Sequence, residues 1–381
     1  MSVLNREGSN TSRTFILFSG FNTRAVLTLC RIFTKHKITF FIIALDQNDP
    51  INLTAYSSHV QWIREKRQLD LDEFIEAIEH IRKRCEVDKV TIVPSTEALN
   101  RFILDHRGFL KDKNISVPLV SKDLYELISN KYSFGELCAE KGMAIPNEID
   151  LLARSESNYP IVAKPRSYST TNAISPVIIN HQSEMLEFQR LNNMDDFYFQ
   201  EYVNGESYYL LYSIDKNGRV VSFSQKNYIQ QGNGKSIVLA VSADIHNESI
   251  GEKYKQLFLE LGYFGIVMVE IKRAADNDYM IEANPRFWGP LQLTMDCNVP
   301  IVELWLKMCG CELQEESKAS PPYVDGEYLW LSGLLKSIKN NDVMYHVNPE
   351  VIQHLPDYLL SDVYLRKDSL NYFYDEIKGD K

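Results

Sequence analysis

Glu270 and Glu282 are the residues whose setting most plainly suits chemistry. They fall in GIVMVEIKRAADNDYMIEANPRFWG, where two strand-like runs flank the turn-like Ala274-Ala275-Asp276-Asn277-Asp278. Pairing Arg273 with Tyr279 places Glu270 directly opposite Glu282. Side chains alternate along a strand, so Asn284 and Arg286 share the face of Glu282. Val269, Ile271, Ile281 and Ala283 take the other face and are expected in the core. Two carboxylates opposed across a ladder repel each other, and a divalent cation removes the conflict. Carboxylate oxygens with an amide carbonyl form a hard donor set. That set suits Mg²⁺, which commonly keeps only one or two protein carboxylates. Glu270, Glu282 and Asn284 are therefore the candidate metal ligands. Arg286, with Asn284 beside it, is the candidate to hold a phosphate or a developing anion. The competing reading is a solvated polar face; four functional side chains on one face and apolar ones on the other favour a site.

The elements that must position this hairpin follow from periodicity. FILFSGFN, TRAVLTLCRIFTKH and ITFFIIALD read as strand, helix and strand, and DLDEFIEAIEHIRKRCE, KVTIVPS and TEALNRFILDHR repeat the alternation. This indicates a parallel α/β sheet over about the first 120 residues. The Ser19-Gly20-Phe21-Asn22 turn lacks the later glycines of a dinucleotide fingerprint and reads as an ordinary strand-to-helix turn. SKDLYELISNKYSFGELCAEKG reads as one helical stretch stopped near Gly142, and YPIVAKP as a short strand. From Phe197 to Arg286 the chain is mostly strand. Asn217-Gly218 and Asn233-Gly234 mark two hairpins, and SIGEKYKQLFLELG is an intervening helix.

The net charge of -10 opposes a nucleic-acid-binding face. Six scattered cysteines match neither a zinc pattern nor a disulfide framework, which suits a reducing cytoplasm. The N-terminal stretch is polar, and the longest apolar run is too short for a membrane span. The expectation is a cytoplasmic protein without membrane or nucleic-acid partners.

Glu270 and Glu282-Ala283-Asn284-Pro285-Arg286 resemble the metal motif of the ATP-grasp superfamily, a Glu on one strand and Glu-x-Asn-x-Arg on the next. The resemblance covers roughly Ser121 to Cys309. It implies a fold of α/β plus α+β type, with an N-terminal parallel α/β domain (1–120). An ATP-grasp module of two α+β subdomains (121–310, lid about 146–200) would follow, then a closing segment (311–381). It further implies that Lys131 and Lys164 contact ATP phosphates, and that backbone around Glu201, Tyr202 and Val203 meets adenine. Glu206, or alternatively Glu201, would lie near the ribose. Lys226 and Lys235 flank a hairpin where relatives place a phosphate contact, although hairpin lysines are also common as solvent-facing gatekeepers. One departure is the segment after Lys164, PRSYSTTNAIS, which has no glycine where the family has a glycine-rich phosphate loop. Ser167, Ser169, Thr170, Thr171 and Arg166 would substitute there.

The chemistry implied is attack of a small-molecule carboxylate on the γ-phosphate of ATP, then displacement of phosphate by an amine. ATP and Mg²⁺, with Mn²⁺ as the alternative ion, are the cofactors, and a homodimer is the oligomer to test. Two rival readings are a bicarbonate-using carboxylase or carbamoyl-phosphate-type enzyme, and a catalytically silent ATP-binding regulator. Arg286, Trp288 and Arg24 are the positions offered for substrate contact.

Overall fold

The computed structural model describes residues 13–150, 159–166, 176–313 and 322–378. The chain divides into two compact units, Met1–Leu119 and Val120–Lys381. Among the described residues no helix is long and apolar enough to cross a membrane.

The first unit is built on a parallel five-stranded sheet: β1 (Arg13–Phe18), β2 (Phe40–Ala44), β3 (Val60–Ile63), β4 (Lys89–Ile92) and β5 (Ile115–Ser116), in the order β3-β2-β1-β4-β5. Phe15, Ile16 and Leu17 are almost wholly buried. Such a continuous apolar run fits a parallel strand covered on both faces. The order reverses between β1 and β4, as in doubly wound sheets. At the end of β1, Gly20 has φ +86° and lies so close to Leu45 that a Cβ would come within 2.2 Å of that side chain. Ser19 donates to Asp49 at 2.6 Å, tying the end of β1 to the segment that follows β2.

In the second unit the stretch expected as one helix is two, Lys122–Ser129 and Lys131–Glu140. Asn130 breaks it. Its extended backbone (ψ 117°) ends the first helix, and its side chain caps the second through Tyr132 N and Ser133 N. A small antiparallel sheet follows, made of β6 (Ile161–Pro165), β7 (Val177–Ile179) and β8 (Phe197–Glu201) in the order β7-β6-β8. Ile161, Ile179, Phe188 and Phe199 form its core under the helix Gln182–Leu191.

The larger sheet has seven strands: β9 (Glu206–Ile214), β10 (Val220–Gln231), β11 (Ile237–Ala243), β12 (Gly265–Arg273), β13 (Asp278–Asn284), β14 (Glu327–Leu329) and β15 (Val343–Tyr345). Its path is β13-β12-β9-β10-β11-β14, with β15 on β10. Both Asn-Gly pairs lie in connections between strands. Gly218 has φ +79°, and Asn233 and Gly234 have φ +56° and +69°. The C-terminal stretch thus adds two strands, β14 and β15, to this sheet. One of them, β15, leads directly to residues described below.

Candidate functional site

Glu270 on β12 pairs with Glu282 on β13, but the register around them differs from the simple ladder. Arg273 pairs with Asp278, and Lys272 with Tyr279. The extra residue is Ile281, left between Met280, which opposes Ile271, and Glu282, which opposes Glu270. A bulge of this kind re-aims a side chain. It corrects the expectation that Ile281 is a core residue. Ile281 is half-buried and lines a cleft with Glu270 and Glu282, and its carbonyl accepts from Lys164 Nζ at 3.2 Å. Met280 fills the core in its place at 2% exposure.

The cleft encloses about 660 Å³ including its mouth and lies between the two sheets of the second unit. Glu270, Glu282, Lys131 and Lys164 cluster within reach of one another's charges at one end, whereas Gln200, Glu201, Tyr202 and Val203 lie further along the β6–β8 pairing, past Tyr198, the partner of Lys164. Asn130 helps assemble the charged end. While its Oδ1 caps the helix that begins at Lys131, its Nδ2 donates to Arg166 O at 3.1 Å, just beyond Lys164 on β6. Lys131 forms an ion pair with Glu282. Lys164 is 5% exposed, and burial together with the nearby Lys131 charge lowers it to about 8.

The two glutamates carry opposite perturbations. Burial and the neighbouring Glu282 push Glu270 upward. For Glu282 burial acts in the same direction but is outweighed, chiefly by Lys131 and Asn284, so it lies well below the usual carboxylate range. Asn284 Nδ2 donates to Glu282 Oε1 at 2.6 Å, and Arg286 Nη2 donates to Asn284 Oδ1 at 3.4 Å. Behind Glu270 runs a directed chain of hydrogen bonds that no local pattern announces. Gln225 Nε2 donates to Asn227 Oδ1 (2.7 Å), Asn227 Nδ2 to Ser207 Oγ (2.9 Å), and Ser207 Oγ to Glu270 Oε1 (3.4 Å). Every donor points toward the carboxylate.

The donor set fits a hard divalent cation. A buried Glu270 and a half-buried Glu282 oppose each other, the first raised by burial and by the second, and both offer only oxygen donors. Among the described residues no group of three or more His, Cys, Asp and Glu is arranged to hold a metal, so any further ligands would come from phosphate, water or Asn284.

Other expected residues fall elsewhere. Glu206 and Lys226 pair with each other across β9 and β10, and Glu206 also accepts from Tyr208 at 2.7 Å; neither lines the cleft. Asn284 and Arg286 lie beside the cleft and act on Glu282. The Glu201 carboxylate accepts from Asn147 at 2.8 Å, so only its position in the wall is available. Lys235 is exposed, 3.9 Å from Asp342. Trp288, offered as a substrate contact, is 1% exposed and belongs to the core. Ser167, Ser169, Thr170 and Thr171 lie outside the described residues.

Residues 128–290 match the family model of the ATP-grasp domain. This chain carries an ATP-grasp domain. Solved structures agree on the fold. An ADP complex of N5-carboxyaminoimidazole ribonucleotide synthetase aligns with a TM-score of 0.61 at 16% identity, over 86% of this chain and 85% of that one. The biotin carboxylase domain of Hydrogenobacter thermophilus 2-oxoglutarate carboxylase, solved with MgADP and bicarbonate, aligns at 0.59 and 15% over 83% and 73%. Biotin carboxylase from Campylobacter jejuni aligns at 0.58 and 16% over 83% and 74%. A search of curated proteins gives no match.

The cleft residues that sequence reasoning missed include Gln230, Lys272 and Met344. Lys272 was the most accessible, since strand alternation puts it on the face of Glu270 two positions earlier. Gln200 is 7% exposed; its Nε2 donates to Pro146 O at 3.1 Å, and its buried Oε1 has no partner among the described residues. Met344 comes from beyond the range matched by the ATP-grasp domain, through the pairing of β15 with β10. No local pattern announces such a contact.

Proposed function

We propose that this chain is an Mg-ATP-dependent ligase. It activates a small-molecule carboxylate as an acylphosphate and joins it to an amine, releasing ADP and phosphate. The observation that carries this reading is the pair Glu270 and Glu282 facing Lys131 and Lys164 at one end of a cleft whose other end is the Gln200–Val203 wall. Two carboxylates and two ammonium groups in one place suit a polyphosphate with its cation. The other wall suits a purine. Val162, Ile178 and Val203 supply apolar contact, and the unpartnered Gln200 Oε1 is an acceptor for an exocyclic amino group.

Phosphoryl transfer demands positioning and charge neutralisation more than covalent participation by the protein. Glu270, braced by Ser207, and Glu282, braced by Asn284, would hold the cation. Mg²⁺ bound there supplies charge neutralisation at the phosphate oxygens. Lys131 and Lys164 offset the remaining phosphate charge. Arg286, oriented by Asn284 and by its own bond to Phe287 O at 3.1 Å, is the cation available to a developing oxyanion. No serine or cysteine nucleophile is needed.

The test is ADP release from ATP and Mg²⁺ across a panel of acids and amines. Release that requires one acid and one amine together supports the reading. Absence of release for every pair, with ATP binding confirmed, contradicts it. A second reading is favoured by the carboxylase folds this chain is similar to: bicarbonate as the activated acid. ADP release that depends on bicarbonate in place of an organic acid would select it.

A further inference from the structure

The cleft wall between the metal-facing carboxylates and the Gln200–Val203 segment carries a buried lysine that the reading above does not use. Lys272 is 7% exposed and lines the cleft. Its surroundings fix its role as a donor. Gln230 Nε2 donates to Lys235 O at 3.0 Å, which leaves Gln230 Oε1 as an acceptor. His346 Nε2 lies 2.8 Å from that oxygen, so Nε2 carries the proton and Nδ1 does not. His346 Nδ1 then accepts from Lys272 Nζ at 2.8 Å. A second Lys272 N–H reaches Gly205 O at 3.5 Å, at the end of the segment running on from Val203. An ammonium has three donors. Two have protein acceptors, and the third has none among the described residues while the side chain faces the cleft.

We infer that Lys272 is a nucleoside-binding residue whose third N–H donates to an acceptor on the base or ribose of the bound nucleotide, with His346 as the residue that positions it. This rests on the cleft being a nucleotide site. The placement argues for the nucleoside over the phosphates. Lys272 Nζ, although near enough to Glu270 for their charges to interact, reaches Gly205 O and His346, whereas Lys131 pairs with Glu282 and Lys164 donates to Ile281 O beside it. His346 follows β15, and its backbone N–H is anchored on Tyr228 O at 3.0 Å. The C-terminal stretch therefore supplies part of the nucleotide site from outside the matched ATP-grasp range. His346→Asn retains an acceptor oxygen near the Nδ1 position, whereas His346→Ala retains none.

The experiment measures, by calorimetry on the full chain with Mg²⁺, the affinity for ATP and for inorganic tripolyphosphate. In Lys272→Met the expected result is a loss of ATP affinity of about 10-fold or more with tripolyphosphate affinity unchanged. His346→Ala should show the same selective loss at smaller size, and His346→Asn should restore most of it. Equal losses for ATP and tripolyphosphate, or no loss for either, would overturn the inference. Should Lys272→Met fail to fold, the His346 pair decides: equal ATP affinity in the Ala and Asn variants would overturn it. Wild-type protein that binds neither ligand would instead sink the nucleotide reading itself.

Discussion

Glu270 and Glu282 face one another across β12 and β13, yet their environments drive their proton affinities apart. Burial beside Glu282 raises Glu270, whereas the ion pair with Lys131 and the Asn284 amide hold Glu282 ionised. One carboxylate is committed to a charge and the other is available to take one when a cation is present. Glu282→Gln should therefore abolish ADP formation by at least about 100-fold. Fold stability should change by less than about 1 kcal/mol, because relief of the like-charge pair offsets loss of the Lys131 partner. Steady-state kinetics and a urea melt check both; turnover near wild type would remove Glu282 from the site.

Lys164 gives a pH signature. Burial and the Lys131 charge lower it to about 8, and the protonated form is the one that attracts phosphate. Affinity for ATP should thus be retained below that value and fall as pH rises through it. Lys164→Met should bind more weakly and show a flatter profile over the same range. Parallel profiles for the two proteins would contradict the assignment.

Gly205 lies where β9 begins beside the end of β12. A Cβ there would come within 2.4 Å of Arg273 O, a backbone atom with no freedom to move aside. Gly205→Ala should destabilise the protein by about 1–3 kcal/mol and weaken nucleotide binding by displacing the Gln200–Val203 wall. Unchanged stability in a denaturant melt would show that the wall yields freely.

Much of the candidate site is legible in the sequence because it is local. The carboxylates and Asn284 sit on paired strands, and alternation is enough to put Glu282 and Asn284 on one face; Arg286 lies past the end of β13, where its N–H bonds back to Asn284 O at 2.8 Å. The bulge was not legible. The sequence pattern makes Ala274 to Asp278 a five-residue turn, whereas Arg273 pairs with Asp278 and the odd residue is absorbed at Ile281. Both registers oppose Glu270 to Glu282, so the error left the site intact and misplaced only Ile281. The break at Asn130 was hidden for a similar reason, since both helices share an apolar pattern and the cap depends on one residue's backbone. The chain from Gln225 to Glu270 and the contact of His346 with Lys272 join residues far apart in sequence. They exist only once β9, β10, β12 and β15 are paired, and no periodicity encodes them. Glu206 and Lys226 illustrate the converse: two residue types suited to a nucleotide satisfied each other across a ladder.

Cys138 and Cys297 are both wholly buried, and burial pushes each thiol up to about 12. Neither should react with iodoacetamide in the native protein at about pH 8, since the thiolate is the reactive form. Both should label once the protein is unfolded in urea, as peptide mass spectrometry would reveal. Native labelling at either position would mean that the helix holding Cys138 or the turn holding Cys297 opens under native conditions.

The central claim is that the cleft binds ATP through a cation held by Glu270 and Glu282. Calorimetry of ATP binding with and without Mg²⁺, on wild type and on the Glu270→Gln, Glu282→Gln double variant, tests it most directly. The account predicts tight, Mg²⁺-dependent binding to the wild type and loss of that dependence in the variant. ATP binding to the wild type that is indifferent to Mg²⁺, or a variant that keeps the full Mg²⁺ dependence, would contradict it.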